Sequence, residues 1–210
     1  MKFLTLIVLF LTSFQTSAQT LQKALQKYAK ASSIQFDIKK TDEKVVLGTK
    51  SEAQGILKYQ SKRIYIQLNS AKQTELFYDN KVLTLVEHPD ADFGPDGKRK
   101  VTIVKKNLPP LVKSLLNLFS DPKSFNREFS VVSQSESAGL FTATLKPKEP
   151  GIKNLFLKIN SKDSVLTEMS FVDDVETRTT LVFSNLQLNK KMNKSEFKYK
   201  PLKTDEVMNQ

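Results

Sequence analysis

No cysteine occurs anywhere in the 210-residue chain, and there is one histidine, His88. The first absence removes disulfides, thiolate nucleophiles, cysteine metal sites and a lipid anchor on cysteine together, so stability must come from burial and hydrogen bonding. The second leaves little for acid–base chemistry: a hydrolase triad needs a base beside its nucleophile. His88 precedes Pro89 in a stretch, 87–100, whose two prolines and two glycines predict a loop. Glycine is also scarce, six in all, and none builds a phosphate loop or a dinucleotide fingerprint. Asp90, Asp92 and Asp96 with His88 lack the glycine and acidic end-ligand positions of an EF-hand. Asp173 and Asp174 are adjacent carboxylates in a turn and point apart. These absences predict a protein without catalytic residues, cofactor or metal.

Long apolar runs are missing too. Only Phe3 to Leu11 approaches one, behind Lys2 and ahead of the small residues Thr16-Ser17-Ala18. That arrangement predicts a cleavable export signal, residues 1–18, with the cut after Ala18. The run is too short for a membrane helix, and no later stretch reaches the eighteen or more uncharged residues one requires. Removing Lys2 with the signal lowers the net charge from +11 to +10. Such a balance favours anionic partners such as phospholipid headgroups, while export argues against nucleic acid. The lysines are spread along the chain, as on an ordinary solvated surface. Residues 19–210 suit one domain.

What is present is mostly alternation. Leu21, Ala24, Leu25 and Tyr28 have helical spacing. From Ile34 the period becomes two, through Phe36 and Ile38, with further strand-like runs at 52–59, 63–68, 74–78 and 82–86. Asp79-Asn80-Lys81 is a tight-turn signal. The pattern breaks at Asn107-Leu108-Pro109-Pro110, which precedes Leu111, Val112, Leu115, Leu116, Leu118 and Phe119. Proline suits a first helical turn, and Ser120-Asp121-Pro122 predicts the stop. So apolar a helix must lie on something apolar, as a core helix or as the cover of a lipid pocket. Strand periodicity returns at 127–133, 139–146, 153–160, 164–173, 176–188 and 195–200. About ten or eleven strands with short turns predict a mainly β (α+β) fold: an incomplete antiparallel barrel with helices over its concave face.

Several motifs, in this order, resemble the periplasmic outer-membrane lipoprotein carrier proteins of the LolA type. They are Gly55-Ile56-Leu57, the Asp79-Asn80 turn, the apolar segment Leu108 to Phe119, Leu145-Lys146-Pro147-Lys148, Phe183-Ser184-Asn185-Leu186, and Phe197-Lys198-Tyr199-Lys200-Pro201 followed by Asp205-Glu206-Val207. Where that family has Arg-Pro this chain has Ser61-Lys62, so Lys62 or Arg63 would have to supply the charge that holds the cover closed. The resemblance implies a periplasmic carrier, soluble and monomeric, that takes acyl chains of lipoproteins from an inner-membrane lipoprotein-releasing transporter to an outer-membrane lipoprotein acceptor. It implies a lipid site formed by Leu111, Leu115, Leu116 and Phe119 of the cover. Leu57, Tyr59 and Tyr65, evenly spaced from Gly55, are expected on one concave face. Transient contact with a membrane surface is also expected. A lipid- or lipoprotein-binding module or envelope sensor on the same half-barrel is the alternative.

Overall fold

The computed structural model describes residues 19–90 and 97–209. The predicted export signal and the centre of the 87–100 loop lie outside the described residues. Twelve strands form one sheet: β1 (Ile34–Lys44), β2 (Thr49–Gln60), β3 (Arg63–Asn69), β4 (Thr74–Tyr78), β5 (Leu83–Glu87), β6 (Lys100–Val104), β7 (Phe129–Ser137), β8 (Leu140–Pro147), β9 (Ile152–Asn160), β10 (Val165–Asp173), β11 (Thr177–Leu188) and β12 (Glu206–Asn209). Their order across the sheet is β12-β6-β5-β4-β3-β2-β1-β11-β10-β9-β8-β7. Two antiparallel meanders, β1–β6 and β7–β11, thus meet where β1 pairs with β11. Strands β12 and β7 form the two edges, so the curved sheet stays open, the predicted incomplete barrel.

Three helices fill its concave side. The first, α1, runs over residues 19–30 and buries Leu21, Ala24, Leu25 and Tyr28, the four residues whose spacing predicted it. Helix α2 (Pro110–Phe119) and helix α3 (Pro122–Glu128) connect the two meanders. One apolar cluster joins these helices to Ile34, Phe36 and Ile38 of β1, Leu57 and Tyr59 of β2, and the inward residues of β8 to β11.

The structure corrects the sequence reading in four places. Ser120-Asp121-Pro122 stops α2 but also starts α3: the Asp121 carboxylate accepts the Lys123 backbone N–H at 3.1 Å, and Pro122 occupies the first turn. The segment 195–200 is not a strand. A 3-10 turn, Lys194–Phe197, forms there, because Asn193 and Glu196 satisfy its backbone N–H groups as a reciprocal cap. Residues 101–104 and 206–209, unassigned from periodicity, fall in β6 and β12, the one parallel pair among the described residues. Finally, the β1–β2 hairpin is longer than expected: β2 begins at Thr49, and Thr49–Ala53 lies beyond the end of β3, whose pairing starts at Gln54.

Candidate functional site

Helix α2 is the element on which any concave site depends. Its Pro109-Pro110 start satisfies the helix geometry without a side-chain cap, and the Ser120 N–H closes it on the Leu116 carbonyl at 3.1 Å. Positions 112, 115 and 119 point into the sheet: Val112 and Leu115 have no solvent exposure, and Phe119 has 1%. The Phe119 ring packs edge-on to Tyr28 at 5.3 Å, tilted to Tyr59 at 5.5 Å and stacked with Phe36 at 6.2 Å. A further contact, Phe36 to Phe183 at 5.0 Å, extends the aromatic group to β11. One side chain of α2 therefore ties together α1, β1 and β2.

Two hydroxyls fasten this arrangement. Tyr59 Oη lies 3.1 Å from Ser120 Oγ, joining β2 to the end of α2. Tyr28 Oη accepts the backbone N–H of Leu166 at 2.7 Å, joining α1 to β10. Burial pushes the Tyr28 phenol well above its ordinary pKa, outweighing the accepted Leu166 N–H, which acts in the opposite direction.

Of the residues singled out from sequence, Leu57, Tyr59, Leu115 and Phe119 are buried together in the concave cluster, and Leu111 and Leu116 pack against it half-buried. Tyr65 does not join them. Cross-strand partners share a face, and Tyr65 pairs with Lys58, whereas Tyr59 pairs with Ile64. The two-residue turn Ser61-Lys62 inverts the odd–even parity between β2 and β3, so spacing counted from Gly55 through the turn assigns the wrong face. Tyr65 instead forms a small outer cluster with Met192 and Phe197. There it donates to Glu75 at 2.7 Å, and His88 Nε2 lies 2.8 Å from the other Glu75 oxygen. Burial first, and then the Glu75 carboxylate, push the Tyr65 phenol above its usual range.

Lys62 is exposed in that turn at φ 62°, beside Ser61 at φ 50°. It lines a cleft of about 290 Å³ with Leu116, Asn117, Ser120 and Arg127 at the α2–α3 corner. Arg63 is half-buried at the start of β3, opposite Gln60. Hence Lys62 borders the cover, and Arg63 lies in the sheet beside it.

A second opening, about 330 Å³, lies at the other end of α2. Leu108, Pro110, Phe129, Pro150 and Ile152 give it apolar walls. Lys113 of α2 reaches across its rim to Glu149 at 3.4 Å. Sequence reasoning missed this mouth, along with the parts of Tyr28 and Ser120 in the site. The alternation of Phe36 and the helical spacing of Tyr28 were visible, but nothing in spacing says which helix crosses which strand. Among the described residues no helix is long and apolar enough to cross a membrane.

Comparison with known proteins adds an independent observation. The family model described as "Outer membrane lipoprotein carrier protein LolA" matches residues 29–200. An outer-membrane lipoprotein carrier protein of Pseudomonas fluorescens strain Pf0-1 is 24% identical over 135 residues, 64% of this chain and 61% of that protein, so the match spans less than two thirds of the relative. The corresponding protein of strain Pf-5 is 24% identical over 148 residues, 70% and 68% of the two chains. Among solved structures, a LolA superfamily protein from Nitrosomonas europaea covers 87% of this chain and 97% of its own at 8% identity, with a TM-score of 0.43.

Proposed function

The chain belongs to the LolA family of outer membrane lipoprotein carrier proteins, and from that premise we propose that it is a periplasmic, non-enzymatic carrier of acylated lipoproteins. Its cargo's acyl chains take the place of α2 against the concave face. An inner-membrane transporter supplies them and an outer-membrane acceptor receives them. The observation that carries this reading is the position of α2: an amphipathic helix whose inward residues, Leu115 and Phe119, complete an otherwise exposed aromatic and aliphatic sheet face.

The packing also supports a releasable cargo. Each buried methylene contributes about 0.8 kcal/mol, so roughly forty methylenes would nominally contribute ~30 kcal/mol. Noncovalent affinity saturates near about −20 kcal/mol. Here the concave face is already covered by Val112, Leu115 and Phe119. Cargo must therefore displace aromatic contacts and the Tyr59–Ser120 hydrogen bond, which offsets much of the gain.

The test is release of newly made lipoproteins from spheroplasts by the purified chain. A one-to-one soluble complex is the expected result. Leu116→Glu, which puts a charge on the half-buried flank of α2, should abolish release while the circular dichroism spectrum stays native. Full release by that folded variant would remove α2 from the site. Binding of free lipid without lipoprotein release would favour the sensor reading instead.

A further inference from the structure

Four aliphatic side chains stand in water at one corner of the molecule: Val45, Val46 and Leu47 in the β1–β2 turn, at 45, 78 and 68% exposure, and Val175 in the β10–β11 turn, at 78%. Folding does not require them there. The two turns are held side by side, for the Val45 N–H donates to the Glu176 carbonyl at 3.0 Å. Together they make one apolar tip from two sequence-distant hairpins. It projects, because Thr49–Ala53 has no partner in β3; five residues at about 3.3 Å each carry the tip some 16 Å past that strand.

The strand register places this tip relative to the mouth at α2. Lys44 pairs with Thr49 and Thr177, Asp173 with Ile152, and Phe129 with Pro147. All these residues end or begin strands at the same end of the sheet. Phe129 and Ile152 line the mouth. The tip and the opening onto the concave side therefore point the same way.

We propose that this end of the molecule docks on a phospholipid bilayer, with Val46, Leu47 and Val175 inserted among the headgroups and the mouth turned toward the lipid. The groove behind the tip is lined by charged and hydroxyl side chains, among them Lys40, Asp42, Lys44 and Lys50, and offers the apolar tip no cup; a bilayer interface yields around such a tip without one. Most of the carboxylates behind the tip are paired. Glu43 is paired with Lys50 at 3.4 Å and Arg178 at 3.5 Å, Glu176 with Lys153, and Asp42 with Lys40. Exposed Lys44 flanks the turn, and the chain as a whole is at +11. Negative headgroups thus meet mostly paired carboxylates, exposed Asp174 beside Val175 being the exception, and a chain with a surplus of lysine. The tip alone carries the docking; the use of the mouth as the acyl route rests on the carrier reading above.

Flotation with vesicles of phosphatidylethanolamine and phosphatidylglycerol tests the docking. The chain should begin at Gln19, so that the apolar run Phe3–Leu11 cannot itself bind lipid. Wild type is expected to float, and Val46→Asp/Leu47→Asp to lose at least tenfold of the vesicle-bound fraction with an unchanged circular dichroism spectrum. Val175→Asp, in the other hairpin, should reproduce the loss. Equal flotation of the folded variants, or none by wild type, overturns the proposal. Tip-dependent release from native membranes by a wild-type chain that does not float would mean that the tip meets a protein, which also overturns it. Binding of a soluble fluorescent triacyl lipopeptide without vesicles separates the two readings. Tip variants should bind it like wild type. If no form binds it yet flotation still needs the tip, the docking stands and the carrier reading falls.

Discussion

The Tyr59 hydroxyl of β2 and the Ser120 hydroxyl at the end of α2 lie 3.1 Å apart. They form a sheet-to-helix latch at the edge of an otherwise apolar interface. A neutral hydrogen bond of this kind contributes about 1 kcal/mol. Tyr59→Phe keeps the ring against Phe119 and removes only the hydroxyl. It should cost about that amount, with a coupling to Ser120→Ala of roughly 0.5 to 1.5 kcal/mol in a double-mutant cycle. Amide exchange in α2 should quicken while α1 is unchanged. A cycle with no coupling would remove the latch.

Phe119 and Leu116 sit three residues apart on α2, one buried and one half-buried, with unequal consequences. Phe119→Ala empties a site bordered by Tyr28, Phe36 and Tyr59, and should cost about 3 to 5 kcal/mol in urea denaturation. Truncating half-buried Leu116 should cost well under half of that. Equal losses would show that α2 is not oriented as described.

Gly55 is required by its neighbour rather than by its own backbone angle. A Cβ at that position would meet the Gln67 carbonyl oxygen of β3 at 1.7 Å, and a backbone atom cannot swing aside. Gly55→Ala should therefore destabilise by about 1 to 3 kcal/mol or more, as overpacking does, and loosen β2–β3 in hydrogen exchange. An alanine variant as stable as wild type would refute the close approach.

The C-terminal strand pairs with β6 and is anchored at its start by one carboxylate. Arg99 donates to both oxygens of Asp205 at 2.7 and 2.8 Å, Tyr199 donates to it as well, and the Asp205 side chain is 1% exposed. The Arg99 guanidinium foremost holds the Asp205 carboxyl well below the usual carboxylate range. A depressed value stabilises the fold above the unfolded pKa, about 4, and that contribution is lost as pH falls through the lower folded value. Protection of the β12 amides should thus hold from pH 7 to about pH 4 and fail only in stronger acid. In Arg99→Ala it should already be lost at pH 7. Retained protection in that variant would assign the anchoring elsewhere.

Tyrosine titration provides a global check, since the chain has no tryptophan and no cysteine to absorb beside tyrosinate. Burial, as the leading cause, raises Tyr28, Tyr65, Tyr78 and Tyr199, the last to about 12. A raised phenol stabilises the fold below its unfolded pKa, about 10, and that stability is lost as pH rises through the folded value. Tyrosinate absorbance should therefore rise chiefly above about pH 10 and together with unfolding. Complete ionisation near pH 10 in a folded chain would contradict these burials.

Local pattern in the sequence determined much of this protein. The alternation at Ile34, Phe36 and Ile38, the helical spacing of Leu21 to Tyr28, and the apolar run after Pro109-Pro110 each define which side of an element is buried, because side-chain direction repeats every two or 3.6 residues. The ordered motifs likewise made the family legible. Other features belonged to tertiary structure alone. Tyr65 changed face because a two-residue turn inverts parity between paired strands, and Asp121-Pro122 became a helix start because its carboxylate found the Lys123 N–H. Residues 206–209 form a strand only because β6 offers a free edge and Arg99 a partner for Asp205. The apolar tip needs two turns about 130 residues apart to be brought together by the β1–β11 pairing. Periodicity is a property of neighbours along the chain, whereas a site is a property of neighbours across it, and pairing register decides which residues those are.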